Sequence, residues 1–399
     1  MLQHEGSESI PCVEIGQRVC AGQLIGRPGS GNASVPVHAP TSGRVTDVVR
    51  VETPYAAEVL AVQIEPDGRN EWIPPSRPAA ETLDAEALVD EITSAGVIGT
   101  GAEGVPIGDI LREVYRRKVR HLIINAMESE PYLTAEYRIL CERGGSVVRT
   151  ANLLARKLGI QRLWLALDRE NTSLIRDLRH RAHGTPLRIT PLPNKYPQGA
   201  TPLLVRSIVG HEIPYGKTAM DVGVVVLDTA TVLAIGQAVF DGHPFVSRIL
   251  TVAGHAAAKP GNYEVSFGTP LHRIVEQVGV RGDLHRVVIG GPMTGLAVSS
   301  LDGVTTKRVS AVLLLSARQA AVRRPRACIR CGWCLEDCPV GLDPPSLLMA
   351  AEAGRADDIA RLFPHACLAC GICTYVCPSE LPLAEGVAKA RARVAAVSV

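Results

Sequence analysis

Eight cysteines between residues 328 and 377 constrain the fold of this 399-residue chain more than any other feature. They form two copies of the spacing C-x2-C-x2-C-x3-C-P, one over residues 328–339 and the other over residues 367–378. This spacing is typical of bacterial ferredoxins that hold two iron–sulfur clusters. The backbone between the cysteines must therefore fold around two inorganic centres.

In this pattern, three thiolates two residues apart cap three corners of one cubane, and the fourth cysteine reaches the other cluster. The sequence therefore predicts two [4Fe-4S] clusters with crossed ligands. Cluster 1 takes Cys328, Cys331, Cys334 and Cys377, and cluster 2 takes Cys367, Cys370, Cys373 and Cys338.

Two zinc sites of four cysteines each are the alternative for the same residues. Zinc usually needs only two pairs of ligands, so this alternative does not explain the third cysteine of each repeat or the fourth before proline. Cys12, Cys20 and Cys141 lie outside the repeats, and we expect them to be small core residues. The clustering of the other eight cysteines indicates a metal protein in a reducing compartment rather than a disulfide framework.

The chain is longer than a typical single domain, and its predicted pattern of strands and helices changes several times along the sequence. The fold class that we predict is a multidomain combination of α/β and β units. The expected units are a β-sandwich over residues 1–75, an α/β domain with a glycine loop over 83–245, a β-grasp unit over 246–285, connecting strands over 286–322, a two-cluster ferredoxin-like helical domain over 323–385 and a tail over 386–399.

Two of these units allow finer expectations. The β-sandwich resembles biotinyl and lipoyl carrier domains, but a Ser-Gly turn at residues 42–43 stands where the carrier lysine would be, so we expect no swinging arm. Alternating strands and helices over residues 83–245 predict βαβ units around a largely parallel sheet, with a helix over residues 146–158.

Charge and hydropathy exclude some function classes. Lys and Arg total 42 against 40 Asp and Glu, and aromatic residues make up 4% of the chain, so we expect no nucleic-acid partner. No apolar run reaches the roughly 18–20 residues that span a bilayer, so no membrane span is expected.

A glycine loop is the second candidate site. Gly99, Gly101 and Gly104 precede a predicted helix, an arrangement in which backbone N–H groups can approach a phosphate. A tight turn without a ligand is the alternative, because three glycines are common in such turns.

A polar segment follows a buried strand of the same domain. Open α/β sheets bind ligands at the carboxyl ends of their strands, and carboxylates there can bind ribityl or ribose hydroxyls. A solvated loop is the alternative. The candidate residues are Asn125, Glu128, Ser129 and Glu130.

The order of these units resembles the RnfC family of the Rnf electron-transport complex, which is similar in turn to the flavin- and NADH-binding subunit of respiratory complex I. The resemblance covers nearly the whole chain. Besides the cysteine repeats, it is carried by residues 37–43 (VHAPTSG), 123–134 (IINAMESEPYLT), 193–199 (PNKYPQG) and 290–295 (GGPMTG).

The resemblance implies a peripheral subunit on the cytoplasmic face of the cell membrane, within a complex that couples NADH–ferredoxin electron transfer to ion movement. Its partners would be the other subunits of that complex and a ferredoxin or similar carrier. FMN would sit on the glycine loop, with NADH donating hydride to it, and the two clusters would carry single electrons onward. The resemblance names no catalytic side chain.

Several residues depart from the family pattern, and they leave two alternatives open. The family's loop usually reads GLGGAGFPT with a lysine shortly after, whereas this chain reads GTGAEGVPI with Ile110 at the lysine position. Ala102 and Glu103 put bulk and negative charge where phosphate would approach, and Ala200 and Thr201 replace a glycine and a glutamate. The alternatives are a flavin-less adaptor that only relays electrons, and a soluble relative of the cobalamin-reducing subunit of propanediol-utilising compartments.

Overall fold

The computed structural model of the chain describes residues 1–31, 33–74, 79–101, 104–320 and 324–397. Ala102 and Glu103 of the glycine loop and most of the proline-rich stretch after residue 73 therefore lie outside the described residues, as does residue 323. Over the part of the chain that is described, no helix combines the length and the apolar character that a membrane crossing needs.

The amino-terminal unit consists of two three-stranded sheets, with strand orders β1-β3-β4 and β2-β5-β6. Apolar side chains such as Val19, Ile25 and Val45 fill the space between them. At Gly43, the first residue of β5, a Cβ atom would lie 2.1 Å from the carbonyl oxygen of Glu65, so this position requires glycine. The strands are β1 (Ile10–Pro11), β2 (Arg18–Val19), β3 (Leu24–Arg27), β4 (Val37–His38), β5 (Gly43–Thr53) and β6 (Ala56–Pro66).

The α/β unit contains a four-stranded sheet of order β10-β7-β8-β9 in which every pairing is parallel, as the alternation of strands and helices predicts. Its strands read as nearly continuous apolar runs because helices cover the sheet. Its strands are β7 (His121–Ala126), β8 (Arg162–Asp168), β9 (Leu187–Leu192) and β10 (Val224–Asp228), and its helices are α1 (Ala85–Ser94), α2 (Ile107–Arg116), α3 (Ala135–Leu158), α4 (Thr172–Arg181), α5 (Thr201–Val209) and α6 (Thr229–Gly236).

Helix α3 is longer than the sequence predicted. It begins at Ala135 instead of residue 146, and it bends at Arg143, whose φ of −123° is not helical. Two glycines follow the bend and weaken the helical pattern in the sequence. Gly144 lets α4 approach, because a Cβ atom there would lie 3.2 Å from Leu178.

The next unit is a mixed five-stranded sheet of order β12-β11-β15-β13-β14. Strand β11 pairs in parallel with β15, and the other pairs are antiparallel. The β-grasp sheet therefore takes three strands from residues 286–322, which the sequence analysis treated as connecting strands. The elements are β11 (Ser247–Ala253), β12 (Gly261–Ser266), α7 (Leu271–Val278), β13 (Arg286–Ile289), β14 (Leu296–Val298) and β15 (Ala311–Leu315).

The cysteine repeats lie in a small helical module whose core contains Leu347, Ile359 and Val387. Each repeat places a short helix directly after a glycine with left-handed φ, 82° at Gly332 and 77° at Gly371. The helices are α8 (Trp333–Glu336), α9 (Pro344–Glu352), α10 (Ala356–Arg361), α11 (Ile372–Tyr375) and α12 (Leu383–Val397).

A buried lysine joins the first three units. Lys307, in the β-grasp unit, is 1% exposed, and its Nζ donates hydrogen bonds to Gly96 O at 2.7 Å and Pro36 O at 3.3 Å. Burial lowers the pKa of Lys307 to about 7. A single side chain thus satisfies backbone carbonyls of the α/β unit and the β-sandwich, although its ammonium group loses its hydration.

The substitution Lys307→Met should change how stability depends on pH. Between about pH 7 and the ordinary lysine pKa of 10.5, the unfolded chain binds this proton more tightly than the folded chain. The free energy of unfolding should therefore rise with pH in that window, by at most about 1.4 kcal/mol per pH unit from this residue.

Urea unfolding at pH 7.5 and pH 9, followed by circular dichroism, measures the change. Wild type should gain more stability over this interval than Lys307→Met. Equal gains in the two proteins would show that Lys307 does not have the lowered pKa.

Candidate electron-transfer site

The first group of cysteines brings both repeats together. Burial raises the pKa of the Cys334 thiol, and the neighbouring thiols of Cys377, Cys331 and Cys328 raise it further. Cys377 reaches this group because the two repeats are joined by backbone: Arg326 N donates to Ser379 O at 2.8 Å. The four residues are those that the spacing predicts for cluster 1, and their role as ligands stays a prediction.

The second group has the reciprocal composition. Burial raises the pKa of the Cys373 thiol to about 11, with contributions from nearby Cys367, Cys370 and Cys338. Cys338 comes from the first repeat and the other three from the second, as crossed ligands would require, and their role as ligands also stays a prediction.

Backbone amides already point at sulfur atoms in both groups. Arg330 N donates to Cys328 Sγ at 3.4 Å, Ala369 N to Cys367 Sγ at 3.3 Å and Leu342 N to Cys338 Sγ at 3.3 Å. N–H donors favour thiolates over thiols. Among the described residues, no three His, Cys, Asp or Glu side chains are arranged around a single metal ion. A cubane does not need that arrangement, because each of its four thiolates binds a different iron, so the residues fit clusters.

The second cysteine loop is packed against the rest of the molecule. Tyr196 of the α/β unit donates its hydroxyl proton to Cys370 O at 2.6 Å, and the rings of Tyr215 and Phe363 meet edge to face at 5.3 Å. Gly371 lies so close to the β-grasp unit that a Cβ atom there would be 2.5 Å from Met293 O. The predicted cluster 2 is therefore the one beside the flavin-type domain.

Glu130, which the sequence predicts to bind a cofactor, instead forms hydrogen bonds within the protein. It is 8% exposed, and its Oε2 accepts hydrogen bonds from Met293 N at 2.6 Å and Thr294 N at 3.3 Å, while its Oε1 accepts one from the Thr294 hydroxyl. Burial, together with the nearby Glu130, raises the pKa of Tyr196. Glu130 therefore holds the loop that covers cluster 2.

The other predicted residues converge only in part. Asn125 Nδ2 donates to Gly199 O at 3.1 Å and to Asp228 Oδ1 at 3.2 Å, and a Cβ atom at Gly101 would lie 2.9 Å from Asp228 Oδ2. The glycine loop, the end of β7 and residues 193–199 thus meet around Asp228. Sequence reasoning missed Asp228, although its position at the carboxyl end of β10 was the available signal.

Three further predicted residues lie elsewhere on the loops. Gly99 N donates to Val105 O at 2.8 Å, which closes the base of the glycine loop. Gly104 has φ of +58° and lies against the Arg308 side chain. Ser129 is exposed.

A group of half-buried carboxylates lies at this edge of the sheet. Burial raises the pKa of Glu136 to about 8, helped by Asp228 and Glu128, and burial raises that of Glu128 to about 7. Burial also raises the pKa of Asp228. Arg248 is the cation that faces Glu136 and Asp228, and its guanidinium donates to Lys307 O at 2.8 Å.

The described residues here do not fit the phosphate of FMN. The amide of Thr100 donates to Thr231 Oγ1 at 2.9 Å, and the amide of Ala230, at the start of α6, donates to Glu136 Oε2 at 3.1 Å. Two backbone donors at this edge of the sheet are therefore already satisfied within the protein. The Asp228 carboxylate beside Gly101 adds negative charge, which disfavours a phosphate.

The module of paired cysteine groups, packed on a flavin-type α/β domain, defines an iron–sulfur electron-transfer protein. Three family models match the chain: the RnfC barrel sandwich hybrid domain over residues 1–69, the Nuo51 FMN-binding domain over residues 92–237 and a 4Fe-4S dicluster domain over residues 325–381. The last match identifies the cysteine repeats as iron–sulfur and not zinc sites, which confirms the predicted clusters.

Similar proteins agree along nearly the whole chain. It is 35% identical to the C subunit of the ion-translocating oxidoreductase complex of Rhodobacter capsulatus, over 99% of this chain and 77% of that protein. It is 34% identical to the C subunit of the proton-translocating ferredoxin:NAD(+) oxidoreductase complex of Clostridium ljungdahlii, over 86% of this chain and 76% of that protein. The chain therefore belongs to the RnfC family.

Solved structures support the fold. A subunit of an NAD+-reducing [NiFe]-hydrogenase in the H2-reduced state is 20% identical and aligns with a TM-score of 0.56, covering 83% of this chain and 68% of that one. The predicted fold class of β-sandwich, flavin-type α/β domain and two-cluster module is confirmed by the family matches and the topology.

The two repeat glycines offer a matched pair of substitutions. Gly332→Ala and Gly371→Ala both place an alanine at left-handed φ, which costs about 1–2 kcal/mol. Nothing lies within 4 Å of a Cβ atom at Gly332, whereas at Gly371 it would meet Met293 O. Gly371→Ala should therefore be the more destabilising change and should loosen the cysteine module from the β-grasp unit.

Limited proteolysis and thermal unfolding of the cluster-loaded chain measure the difference. Faster cleavage should follow Gly371→Ala alone. If both variants behaved alike, the packing of the second cysteine loop against Met293 would not contribute to stability.

Proposed function

We propose that this chain is a peripheral electron-transfer subunit of an Rnf-type, ion-translocating oxidoreductase. It would relay single electrons through two [4Fe-4S] clusters between an NADH- or flavin-linked donor and a ferredoxin-side partner. The single observation that carries the proposal is the sorting of eight cysteines into two crossed groups, in a module that contacts the flavin-type domain through Tyr196 and Cys370.

We propose as ligands the residues that the spacing selects. Cluster 1 would be held by Cys328, Cys331, Cys334 and Cys377, and cluster 2 by Cys367, Cys370, Cys373 and Cys338. Their grouping in space and the amides directed at three of the sulfur atoms support this assignment.

The chain's own residues give the two sites different surroundings. Bound [4Fe-4S] clusters supply one-electron redox centres whose potentials depend on hydrogen bonds to sulfur and on solvent exposure. Tyr196 and Met293 pack against the loop of Cys370, which is half-buried, whereas Cys328 and Cys331 are exposed. Reduction adds negative charge to a cluster, and burial disfavours charge. The cluster at the less solvated site should therefore be harder to reduce.

The partners and location in this proposal come from the relatives. Their names describe subunits of multisubunit complexes, and one names ferredoxin and NAD+ as the substrates of its complex. We propose the other subunits of such a complex and a ferredoxin or similar carrier as partners, NADH as the ultimate donor or acceptor, and the cytoplasmic face of the cell membrane as the location.

A flavin-less relay is the second candidate. The carboxylate of Asp228 beside Gly101 and the satisfied amides of Thr100 and Ala230 favour it. In this form the α/β unit serves as a scaffold, and electrons enter the clusters from another subunit.

Iron and acid-labile sulfide analysis after anaerobic purification tests the clusters. About eight iron atoms per chain are expected for two [4Fe-4S] clusters. Cys334→Ala and Cys373→Ala should each remove one cluster and leave different electron paramagnetic resonance spectra. Cys338→Ala should match Cys373→Ala, because the ligands are crossed.

Cys141→Ala is the control, since this residue lies in the α/β unit, and it should retain full iron content. About four iron atoms in the wild-type chain would contradict two clusters. A Cys338→Ala spectrum that matched Cys334→Ala would contradict the crossing.

Flavin titration separates the two candidate functions. For the flavin-less relay, the purified chain should contain substoichiometric FMN, and NADH should not reduce its clusters. Asp228→Asn should strengthen FMN binding, because it removes a negative charge beside Gly101 while an amide oxygen can still accept from Asn125.

Asp168→Asn, at the carboxyl end of strand β8 of the same sheet, is the matched control and should leave FMN binding unchanged. Stoichiometric FMN in the wild-type chain, with cluster reduction by NADH, would contradict the flavin-less relay and establish the flavin-dependent one.

A further inference from the structure

The two cysteine repeats are alike in sequence and local backbone, but only one of them is covered. In the second repeat, Tyr196 bonds to Cys370 O and Met293 lies against Gly371. At the equivalent glycine of the first repeat, Gly332, no described atom lies within 4 Å of a Cβ position. The first repeat thus presents to solvent a surface that its counterpart buries against the α/β and β-grasp units.

The uncovered surface is continuous. Every residue from 324 to 333 is exposed, including Cys328 and Cys331, and we name this segment the open cluster loop. Ile329 and Trp333 expose 67% and 53% of their surface within it. Exposed large apolar side chains grouped in this way are characteristic of interaction sites.

All charged residues of the open cluster loop are basic. Arg324, Arg326 and Arg330 lie in it, and its sequence contains no acidic residue. Arg326 also donates to Pro378 O at 3.2 Å, so its side chain helps to join the repeats, while Arg324 and Arg330 are exposed beside the cysteines. Tryptophan and arginine are among the residue types that most often dominate binding energy at protein interfaces.

We propose that the open cluster loop is the docking site of a one-electron carrier protein that presents an acidic face beside its own redox centre. The proposal rests on the function proposed above, because it needs a redox centre held by Cys328 and Cys331. It makes cluster 1 the terminal centre of the chain, and cluster 2 the internal centre that faces the flavin-type domain.

The chemistry of the surface supports this occupant. The two exposed cysteines let a partner's redox centre come close to cluster 1 without displacing any part of the chain. Ile329 and Trp333 provide a desolvated centre for the contact, and the arginines provide electrostatic attraction that accelerates encounter with an acidic partner. Such attraction weakens as ionic strength rises.

Stopped-flow kinetics with the cluster-loaded full chain tests the proposal. The probe is an acidic bacterial ferredoxin with two [4Fe-4S] clusters, reduced beforehand, and the observable is the second-order rate constant for reduction of the chain. The double variant Arg324→Glu/Arg330→Glu should lower this rate constant about tenfold or more at low ionic strength. The difference should shrink as salt is added.

The matched control is Arg179→Glu/Arg188→Glu, which makes the same charge change at exposed positions of the α/β unit. Its rate constant should stay within about twofold of wild type. Trp333→Ala should lower the rate constant at every ionic strength, because the apolar contact is not screened by salt.

Iron content and reduction by dithionite are measured for every variant, which separates the two proposals. Loss of clusters from the wild-type chain would overturn the relay function itself. If the clusters are intact and reducible but Arg324→Glu/Arg330→Glu and Arg179→Glu/Arg188→Glu have equal rate constants, only the docking site is overturned. Analytical ultracentrifugation measures whether the chain self-associates. Self-association that Trp333→Ala abolishes would also overturn the docking proposal, because it would assign the open cluster loop to a second copy of the chain.

Discussion

The carboxylate of Glu130 is the interaction on which the arrangement around the clusters depends. It accepts hydrogen bonds from the amides of Met293 and Thr294, so it orders a loop of the β-grasp unit from its place in the α/β unit. Met293 O in turn lies against Gly371, and Tyr196 bonds to Cys370 O. Three units of the chain therefore meet at one buried acid, and the position of the second cysteine loop follows from it.

Polar groups elsewhere in the interior serve the same purpose of joining units. Lys307 binds carbonyls of two other units, and Arg248 donates to Lys307 O while facing Glu136 and Asp228. These groups are buried with partners, as buried charges must be. At the carboxyl edge of the parallel sheet, Thr231 accepts a hydrogen bond from the amide of Thr100 and Glu136 accepts one from the amide of Ala230.

Sequence reasoning succeeded where chemistry fixes spacing and failed where distant residues meet. Cubane spacing let two [4Fe-4S] clusters be predicted, and the dicluster family match agrees with them, while the crossed ligand sets stay a prediction. The start of α3 was not, because Gly144 and its neighbour interrupt the helical pattern that continues from Ala135. The hydrogen bonds of Glu130 were equally unpredictable. The sequence shows a carboxylate after a strand, but not whether it binds a ligand or an amide 163 residues away.

The unequal covering of the two cysteine loops implies an order of maturation. The loop of Cys370 is half-buried against Tyr196 and Met293, so we expect its inorganic centre to be inserted before the module packs onto the rest of the chain. The loop of Cys328 stays accessible after folding is complete. Oxygen damage and repair by cluster-delivery proteins should therefore begin at the more exposed centre.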